Sequence, residues 1–149
     1  MELHLESARS RMKTSWRPMD RLVVDSWAWV EYLRGSEIGK KVDTRVSAAG
    51  ELWTTVVSLT EVVSKYRREK LSEQVAIDAI SALSRFGVPS RDDAIEAGRL
   101  HAEIKAKSAN FGLADAFVLQ LARKVNGKVL TGDPDFKGLR EAEFIGNPR

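Results

Sequence analysis

Acidic residues follow the apolar stretches of this chain, at the places where parallel strands would end. Asp25 directly follows the apolar run Leu22–Val24, and Asp133 follows the strand predicted at 128–131. Two further acids lie on the helices predicted next to these strands. Because ligands of an open α/β sheet bind at the carboxyl ends of its strands, we expect one site there, with four carboxylates: Asp25, Glu61, Asp115 and Asp133.

The residue types at this edge predict a metal site. Four converging carboxylates repel one another unless a divalent cation lies among them. The chain has no cysteine, and its only histidines are His4 and His101, so the ligands would be oxygens. Oxygen ligands favour hard ions, which here means Mg²⁺ or Mn²⁺. Such an ion polarises a phosphate and activates water, so the pattern predicts phosphoryl chemistry.

Each acid also has a purely structural explanation. Asp25 could cap the helix after its strand, and Ser58 with Glu61 has the spacing of a capping box. Asp133 precedes Pro134, which is the pattern of an N-cap followed by proline in the first helical position. Asp115 falls in the first turn of the most apolar helix, where an acid either favours the helix dipole or faces an open site with a cation. Only the combination of the four favours a site.

Hydrophobic patterning predicts strands that alternate with helices. This alternation is typical of a parallel sheet with helices on both faces. We expect strands at 22–24, 51–57, 86–89, 128–131 and 143–145. We expect helices at 27–33, 36–48, 58–70, 72–84, 90–107 and 113–125.

The composition suits one folded domain, which we place at residues 20–149. Of the 149 residues, 43% are hydrophobic and 30% are charged, with a formal net charge of +3. No apolar run approaches the length of a membrane span, so we expect a cytoplasmic protein without membrane contact. Residues 1–19 are polar and without period. We expect them to be a disordered extension or the result of a start codon placed too early, with a basic nucleic-acid-binding arm as the alternative.

Four segments together resemble the PIN-domain ribonucleases of the VapC toxin type. They occur in the family order and span nearly all of residues 20–146: Val23–Ser26, Ser58–Val62, Gly112–Ala116 and Leu130–Phe136. The resemblance implies a three-layer α/β/α sandwich around a short, mostly parallel central sheet. It also implies a metal-dependent endoribonuclease that is the toxin of a type II toxin–antitoxin pair.

The resemblance assigns roles to individual residues. It makes Asp25, Glu61, Asp115 and Asp133 the catalytic, metal-binding acids, with Asp135 as a further acid. Ser26 and Thr131 would orient carboxylates or metal-bound waters, and Phe136 would lie in the core. The implied partners are an RNA substrate, a cognate antitoxin protein and a second copy of the chain in a homodimer. No histidine or lysine has a sequence position that suggests a general base, so the metal would activate the water.

Other residues leave alternatives open. Trp27 or Trp29 could cover a dimer or antitoxin surface, or could be ordinary core residues. His101 falls on the apolar stripe of its helix, where we expect a core histidine rather than a ligand. For the helix-end cations Arg67, Arg68 and Lys70 we expect a solvated helix end with cations matched to the helix dipole, and contact with RNA phosphates is the alternative.

Two other functions are compatible with the sequence. The first is a PIN-like module that binds RNA or protein with weak or no catalysis and retains the acids as helix caps. The second is a small phosphatase, which usually needs an Asp-x-Asp strand end. Asp25–Trp27 does not supply that motif.

Overall fold

The computed structural model describes residues 19–146, so the predicted N-terminal extension falls almost wholly outside the described residues. The described chain forms a five-stranded sheet in which every neighbouring pair is parallel, in the order β3-β2-β1-β4-β5. The strands are β1 Arg21–Val24, β2 Glu51–Thr55, β3 Arg85–Gly87, β4 Lys128–Thr131 and β5 Ala142–Phe144.

Helices connect the strands and cover both faces of the sheet. They are α1 Ser26–Arg34, α2 Glu37–Ala48, α3 Val56–Arg68, α4 Glu73–Leu83, α5 Arg91–Lys105 and α6 Leu113–Lys124, followed by a 3₁₀ turn at Pro134–Phe136. None of the helices in residues 19–146 is long and apolar enough to cross a membrane. The three-layer α/β/α sandwich predicted from the sequence is confirmed, and the sheet is wholly parallel.

Alternating residues of β1 supply two separate cores. Leu22 and Val24 face the core beneath α1 to α4, whereas Val23 faces the core beneath α5 and α6. All three side chains are fully buried. This burial on both faces explains why β1 is continuously apolar rather than alternating with polar residues. The strand order changes direction between β1 and β4, and that reversal opens a crevice at their carboxyl ends.

Local caps explain most of the helix bounds. Asp25 caps α1, and Gly35 ends it with φ of 65°, a left-handed conformation that glycine adopts without strain. Ser90 and Asp93 form the expected capping box, with reciprocal bonds of 3.1 and 2.9 Å between each side chain and the other residue's backbone N–H. Asn126, with φ of 55°, follows the end of α6.

The start of α3 differs from the prediction. The strand expected at 51–57 ends at Thr55, and the Thr55 side chain caps α3 by accepting from the Ser58 backbone N–H at 2.8 Å. The predicted capping box of Ser58 with Glu61 is therefore wrong. The β-branched pair Val56–Val57 suggested a longer strand, but the cap at Thr55 begins the helix first. Glu61 then lies in the second turn of α3, where it is not needed as a cap.

The tryptophans have different surroundings. Trp29 is fully buried, and its indole N–H donates to Thr54 Oγ1 at 3.0 Å, so the core alternative holds for this residue. Trp27 is partly exposed and lines the crevice, with its ring packed closely against Gly132. His101 is also partly exposed, and its ring stacks on Phe111 with centroids 6.5 Å apart. Phe136 is fully buried, as expected.

Candidate active site

Asp25 stands at the carboxyl end of β1 and is almost completely buried, with 3% of its surface exposed. One carboxylate oxygen accepts from the Ser26 backbone N–H at 2.8 Å, and the other accepts from the Thr131 hydroxyl at 2.8 Å. Burial, together with the negative charges of Asp115 and Glu61, raises the pKa of Asp25 to about 7, and these two hydrogen bonds oppose that shift. Asp25 is therefore a buried acid among other acids.

Glu61 faces the same crevice from α3. Desolvation raises its pKa, a hydrogen bond from the Ser26 side chain opposes that shift, and the negative charge of Asp133 adds to it. Glu61 is an exposed residue, whereas Asp25 is buried, so solvent reaches Glu61 more easily. Ser26 thus contacts both acids, giving its backbone N–H to Asp25 and its side chain to Glu61.

Asp115 combines two roles that the sequence had left as alternatives. It lies in the first turn of α6, and its carboxylate accepts from the Gly112 backbone N–H at 2.8 Å, as a capping residue does. It also lines the crevice. Burial raises its pKa to about 6, and the charges of Asp133, Glu61 and Asp135 contribute in the same direction. Capping uses part of the carboxylate's acceptor capacity, since a carboxylate has about four lone-pair sites.

The loop after β4 carries the remaining acids. Asp133 caps the 3₁₀ turn by accepting from the Asp135 backbone N–H at 2.9 Å. One carboxylate oxygen from each of Asp115, Asp133 and Asp135 lies within 4.8 Å of the other two. Asp135, the fifth acid of the prediction, therefore belongs to this group, whereas Asp25 and Glu61 lie outside it and line the same crevice as Asp115 and Asp133.

Thr131 connects the two halves of the cluster. Its hydroxyl donates to Asp25 and accepts from the Asp133 backbone N–H at 3.0 Å. The residue is fully buried, so this hydroxyl is held in place. One side chain at the end of β4 thereby fixes the carboxylate at the end of β1 and the loop that carries Asp133. The role that the resemblance gives to Thr131, orienting carboxylates or metal-bound waters, stays a prediction.

The donor set suits a hard divalent cation. All the candidate ligands in the cluster are carboxylate oxygens, which Mg²⁺ and Mn²⁺ prefer. The acids also raise one another's pKa, which shows that their negative charges are not balanced within the cluster. A bound cation would relieve this repulsion. The residues present fit a metal, and the three closest oxygens mark where it would bind.

The crevice has a volume of about 450 Å³, and cationic side chains line it together with the acids. Its lining includes the acids Asp25, Glu61, Asp115 and Asp133, together with Arg34, Lys65 and Arg68. Sequence reasoning missed Arg34 and Lys65, and it grouped Arg68 with its neighbours as a solvated helix end. A signal was available, because Glu61, Lys65 and Arg68 have the i, i+4, i+7 spacing of one helix face.

A family model and solved structures resemble this chain. The model of the PIN domain matches residues 22–142. A chain from a toxin–antitoxin complex of Klebsiella pneumoniae is 20% identical, with a TM-score of 0.69 over 82% of this chain and 95% of that chain. No curated protein sequence matches this chain significantly.

Two further solved structures share the fold. One is the VapC20 toxin of Mycobacterium tuberculosis, described as cleaving the sarcin–ricin loop. It is 16% identical, with a TM-score of 0.65 over 83% of this chain and 98% of that chain. The other is a DNA-bound VapBC complex of Salmonella typhimurium, 16% identical, with a TM-score of 0.60 over 85% of this chain and 97% of that chain.

Proposed function

The chain belongs to the PIN-domain family, and from this membership we propose that it is a metal-dependent endoribonuclease. The substrate would be RNA, and the cofactor would be Mg²⁺ or Mn²⁺. The observation that supports the proposal most is the group formed by Asp115, Asp133 and Asp135, whose carboxylate oxygens lie within 4.8 Å of one another. The cleavage products implied by the family resemblance are a 5′-phosphate and a 3′-hydroxyl.

The acids divide the work by position. We propose that Asp115, Asp133 and Asp135 hold the cation, with Asp25 and Glu61 completing the site from the β1 and α3 sides. When bound, the cation supplies Lewis-acid polarisation of the scissile phosphate and activation of a water. The Thr131 hydroxyl would hold the Asp25 carboxylate in place, and the Ser26 side chain would stabilise the charged form of Glu61.

We do not assign Lys65 as a general base, in line with the sequence, in which no lysine has a position that suggests one. It lines the crevice, but its ammonium donates to Glu69 at 2.7 Å. An ammonium has no lone pair with which to accept a proton. Glu61, the more accessible acid with a raised pKa, is better suited to exchange a proton with solvent.

The direct test is cleavage of RNA by the purified full chain with Mg²⁺, with Mn²⁺ and with a chelator. We expect cuts within the RNA that depend on the ion. Asp115→Asn should lose cleavage, whereas Asp92→Asn is the matched control, because Asp92 is an exposed acid in the first turn of α5. Cleavage that continues in chelator, or that survives Asp115→Asn, would contradict the proposal.

We further propose that the protein is the toxin of a type II pair. The support is the shared fold with toxin–antitoxin structures, which at these identities is a likeness of fold. A cognate antitoxin would cover the acidic crevice, and the toxin would form a homodimer. The test is the adjacent reading frame, which should encode a small DNA-binding protein. Co-expression of that protein should relieve growth arrest caused by the toxin, and absence of arrest on expression alone would contradict the proposal.

A PIN-like binding module is the second candidate, and one observation favours it. Asp25, Asp115 and Asp133 each accept a backbone N–H at a helix or turn start, so capping alone could explain these three acids. Capping does not explain Glu61, which is not needed as a cap and still faces the crevice. RNA that binds equally with and without metal, and that is never cut, would favour this candidate.

A further inference from the structure

Three cationic side chains line the crevice beside the acids. Arg34 is the last residue of α1, and Lys65 and Arg68 lie in the last turns of α3. Glu61, Lys65 and Arg68 follow one face of α3, so the lining changes from negative to positive along the helix. At 1.5 Å per residue, Lys65 and Arg68 lie about 6 and about 10 Å beyond Glu61 along the helix axis.

All three cationic side chains lower the pKa of the same residue, Glu69. Glu69 follows α3, and the hydrogen bond from Lys65 lowers its pKa. The positive charges of Lys65, Arg34 and Arg68 lower that pKa further. The C-terminal ends of α1 and α3 therefore present their cations in one region of the crevice, although Arg34 and Lys65 are 31 positions apart in the sequence.

From this arrangement we propose that Arg34, Lys65 and Arg68 form a phosphate-binding wall, which holds the RNA backbone on one side of the bond to be cleaved. This inference rests on the proposed ribonuclease function, and it adds the direction in which the RNA backbone runs across the crevice. The scissile phosphate lies at the acids, and the phosphates on one flank lie against the wall. Lys65 and Arg68 are positioning residues, because they bind phosphates next to the one that reacts.

The ion pairs of the wall are exchangeable. Lys65 pairs with Glu69 at 2.7 Å, and both side chains are partly exposed. Arg34 pairs with Glu31 at 3.7 Å, and Arg68 donates from Nε to Ser64 Oγ at 3.4 Å. Exposed pairs of this kind contribute little to stability, so an RNA phosphate can replace the carboxylate or hydroxyl. Arginine adds a planar donor fork that matches phosphate oxygens.

The crevice as a whole favours RNA over an acidic protein segment. An acidic segment would pair with the wall but would be repelled by the acids, unless it brought its own cation. RNA fits both ends, because its phosphates bind the wall and also share a divalent ion with the carboxylates. The acids and the wall line the same cavity of about 450 Å³.

Arg67 provides a matched control next to the wall. It precedes Arg68 on α3 and has the same charge, but its side chain is 79% exposed, and it pairs with Glu73 at 3.3 Å. Arg67 is not part of the crevice lining. Arg67→Gln and Arg68→Gln therefore remove the same charge from the same helix end, and only the second removes it from the wall.

The experiment measures binding of a short, labelled single-stranded oligoribonucleotide in chelator, at several salt concentrations. The samples are the wild type, Lys65→Gln, Arg68→Gln, the double variant and Arg67→Gln. Each lost phosphate contact should reduce the slope of log affinity against log salt by about 0.7. We expect that reduction for Lys65→Gln and Arg68→Gln, about twice that reduction for the double variant, and the wild-type slope for Arg67→Gln.

Cleavage with Mg²⁺ or Mn²⁺ separates this proposal from the ribonuclease proposal. The wall variants should raise KM and leave kcat nearly unchanged. If the wild type binds with the predicted slopes but never cleaves, the ribonuclease proposal fails, and the wall stands as an RNA-binding surface. If the wild type cleaves but does not bind RNA in chelator, or if Arg67→Gln and Arg68→Gln behave alike, the wall is overturned. Competition by polyglutamate as strong as by RNA would also overturn it, in favour of an acidic protein partner.

Discussion

Two aspartates flank β1, and their electrostatic surroundings are opposite. Asp20 directly precedes the strand, and both of its carboxylate oxygens accept from the Arg45 guanidinium at 2.8 Å. Those hydrogen bonds lower the pKa of Asp20. Asp25 directly follows the strand and is buried, with its pKa raised to about 7. Four residues separate a carboxylate that is paired from one that is crowded by other acids.

The difference shows what each end of the strand is for. Arg45 donates to Asp20 before β1 and to Glu143 in β5, so one guanidinium connects both strands to α2. In that cluster both acids are paired with a guanidinium, so the cluster serves stability. The acidic cluster leaves its charge unbalanced, so it costs stability until a cation binds. A charge imbalance that the fold maintains is typical of a site rather than of a scaffold.

The largest expected effect is on RNA cleavage, and it comes from changing Asp25 at the carboxyl end of β1. Asp25→Asn removes a charge from the proposed metal site, and we expect RNA cleavage to fall by more than about 100-fold, beyond the range for residues that only support a ligand. Its unfolding free energy should change by no more than about 1 kcal/mol, because the relief of repulsion offsets the weakened bond from Thr131. Cleavage assays and denaturant unfolding measure the two quantities.

Asp20→Asn is the control for Asp25→Asn. It changes the same residue type at the other end of the strand, so it should keep wild-type cleavage and lose some stability. Equal loss of cleavage in both variants would show that the two ends are not functionally distinct.

The next effect concerns Thr131, which joins the halves of the acidic cluster. Thr131→Val keeps the volume but removes the donor to Asp25 and the acceptor for the Asp133 N–H. We expect cleavage to fall about 10- to 100-fold, as for other groups that orient metal ligands. The loss of these two hydrogen bonds should cost about 1–3 kcal/mol of unfolding free energy. Thr60→Val, at an exposed position of α3, should change neither quantity.

A smaller effect breaks the comparison at its structural end. Arg45→Gln leaves Asp20 and Glu143 without their guanidinium, and we expect a loss of about 1 kcal/mol in unfolding free energy, since the pairs are partly exposed. Cleavage per folded molecule should stay at the wild-type rate. Lys40→Gln, which removes a fully surface-exposed pair with Glu37, is the comparison variant. Loss of cleavage in Arg45→Gln without loss of stability would contradict this division of roles.

The last effect is a dependence of stability on pH, and it has opposite signs at the two ends. The folded-state pKa of Asp25, about 7, lies above its unfolded value, so its contribution is present at low pH and is lost as pH rises through 7. Asp115, with a pKa of about 6, behaves in the same way. The pKa of Asp20 is lowered, so its contribution is present above its ordinary pKa of 3.8 and is lost as pH falls.

Metal binding makes this pH dependence measurable. Without a divalent ion, repulsion in the acidic cluster should make Tm fall as pH rises from about 5 to about 8. Mg²⁺ or Mn²⁺ should raise Tm more at about pH 8 than at about pH 5. Thermal unfolding at both pH values, with ion and with chelator, measures this difference. An ion-induced shift that is equal at both pH values, or absent in both, would contradict a carboxylate metal site. The shift should disappear in Asp115→Asn.

Local patterns predicted the parts of the fold that depend on neighbouring residues. The apolar run Leu22–Val24 predicted a buried strand, and Ser90 with Asp93 predicted the start of α5. The acids after β1 and β4 were predicted to converge because parallel strands end at one edge. The start of α3 was missed, because Thr55 and Val56 are compatible with either a strand or a helix start, and the hydrogen bond from the Ser58 N–H to the Thr55 side chain begins the helix there.

The sequence by itself determined the buried central strand, where most helices begin and that acids follow the strands, since periodicity and caps act over a few residues. Only the tertiary structure decided which charges meet. Arg45 pairs with Glu143 across 98 positions, and Arg34 joins Lys65 and Arg68 in the crevice. The tertiary structure also places Asp135 in one group with Asp115 and Asp133. The physical reason is that electrostatic partners depend on distance in space, which the path of the folded chain sets.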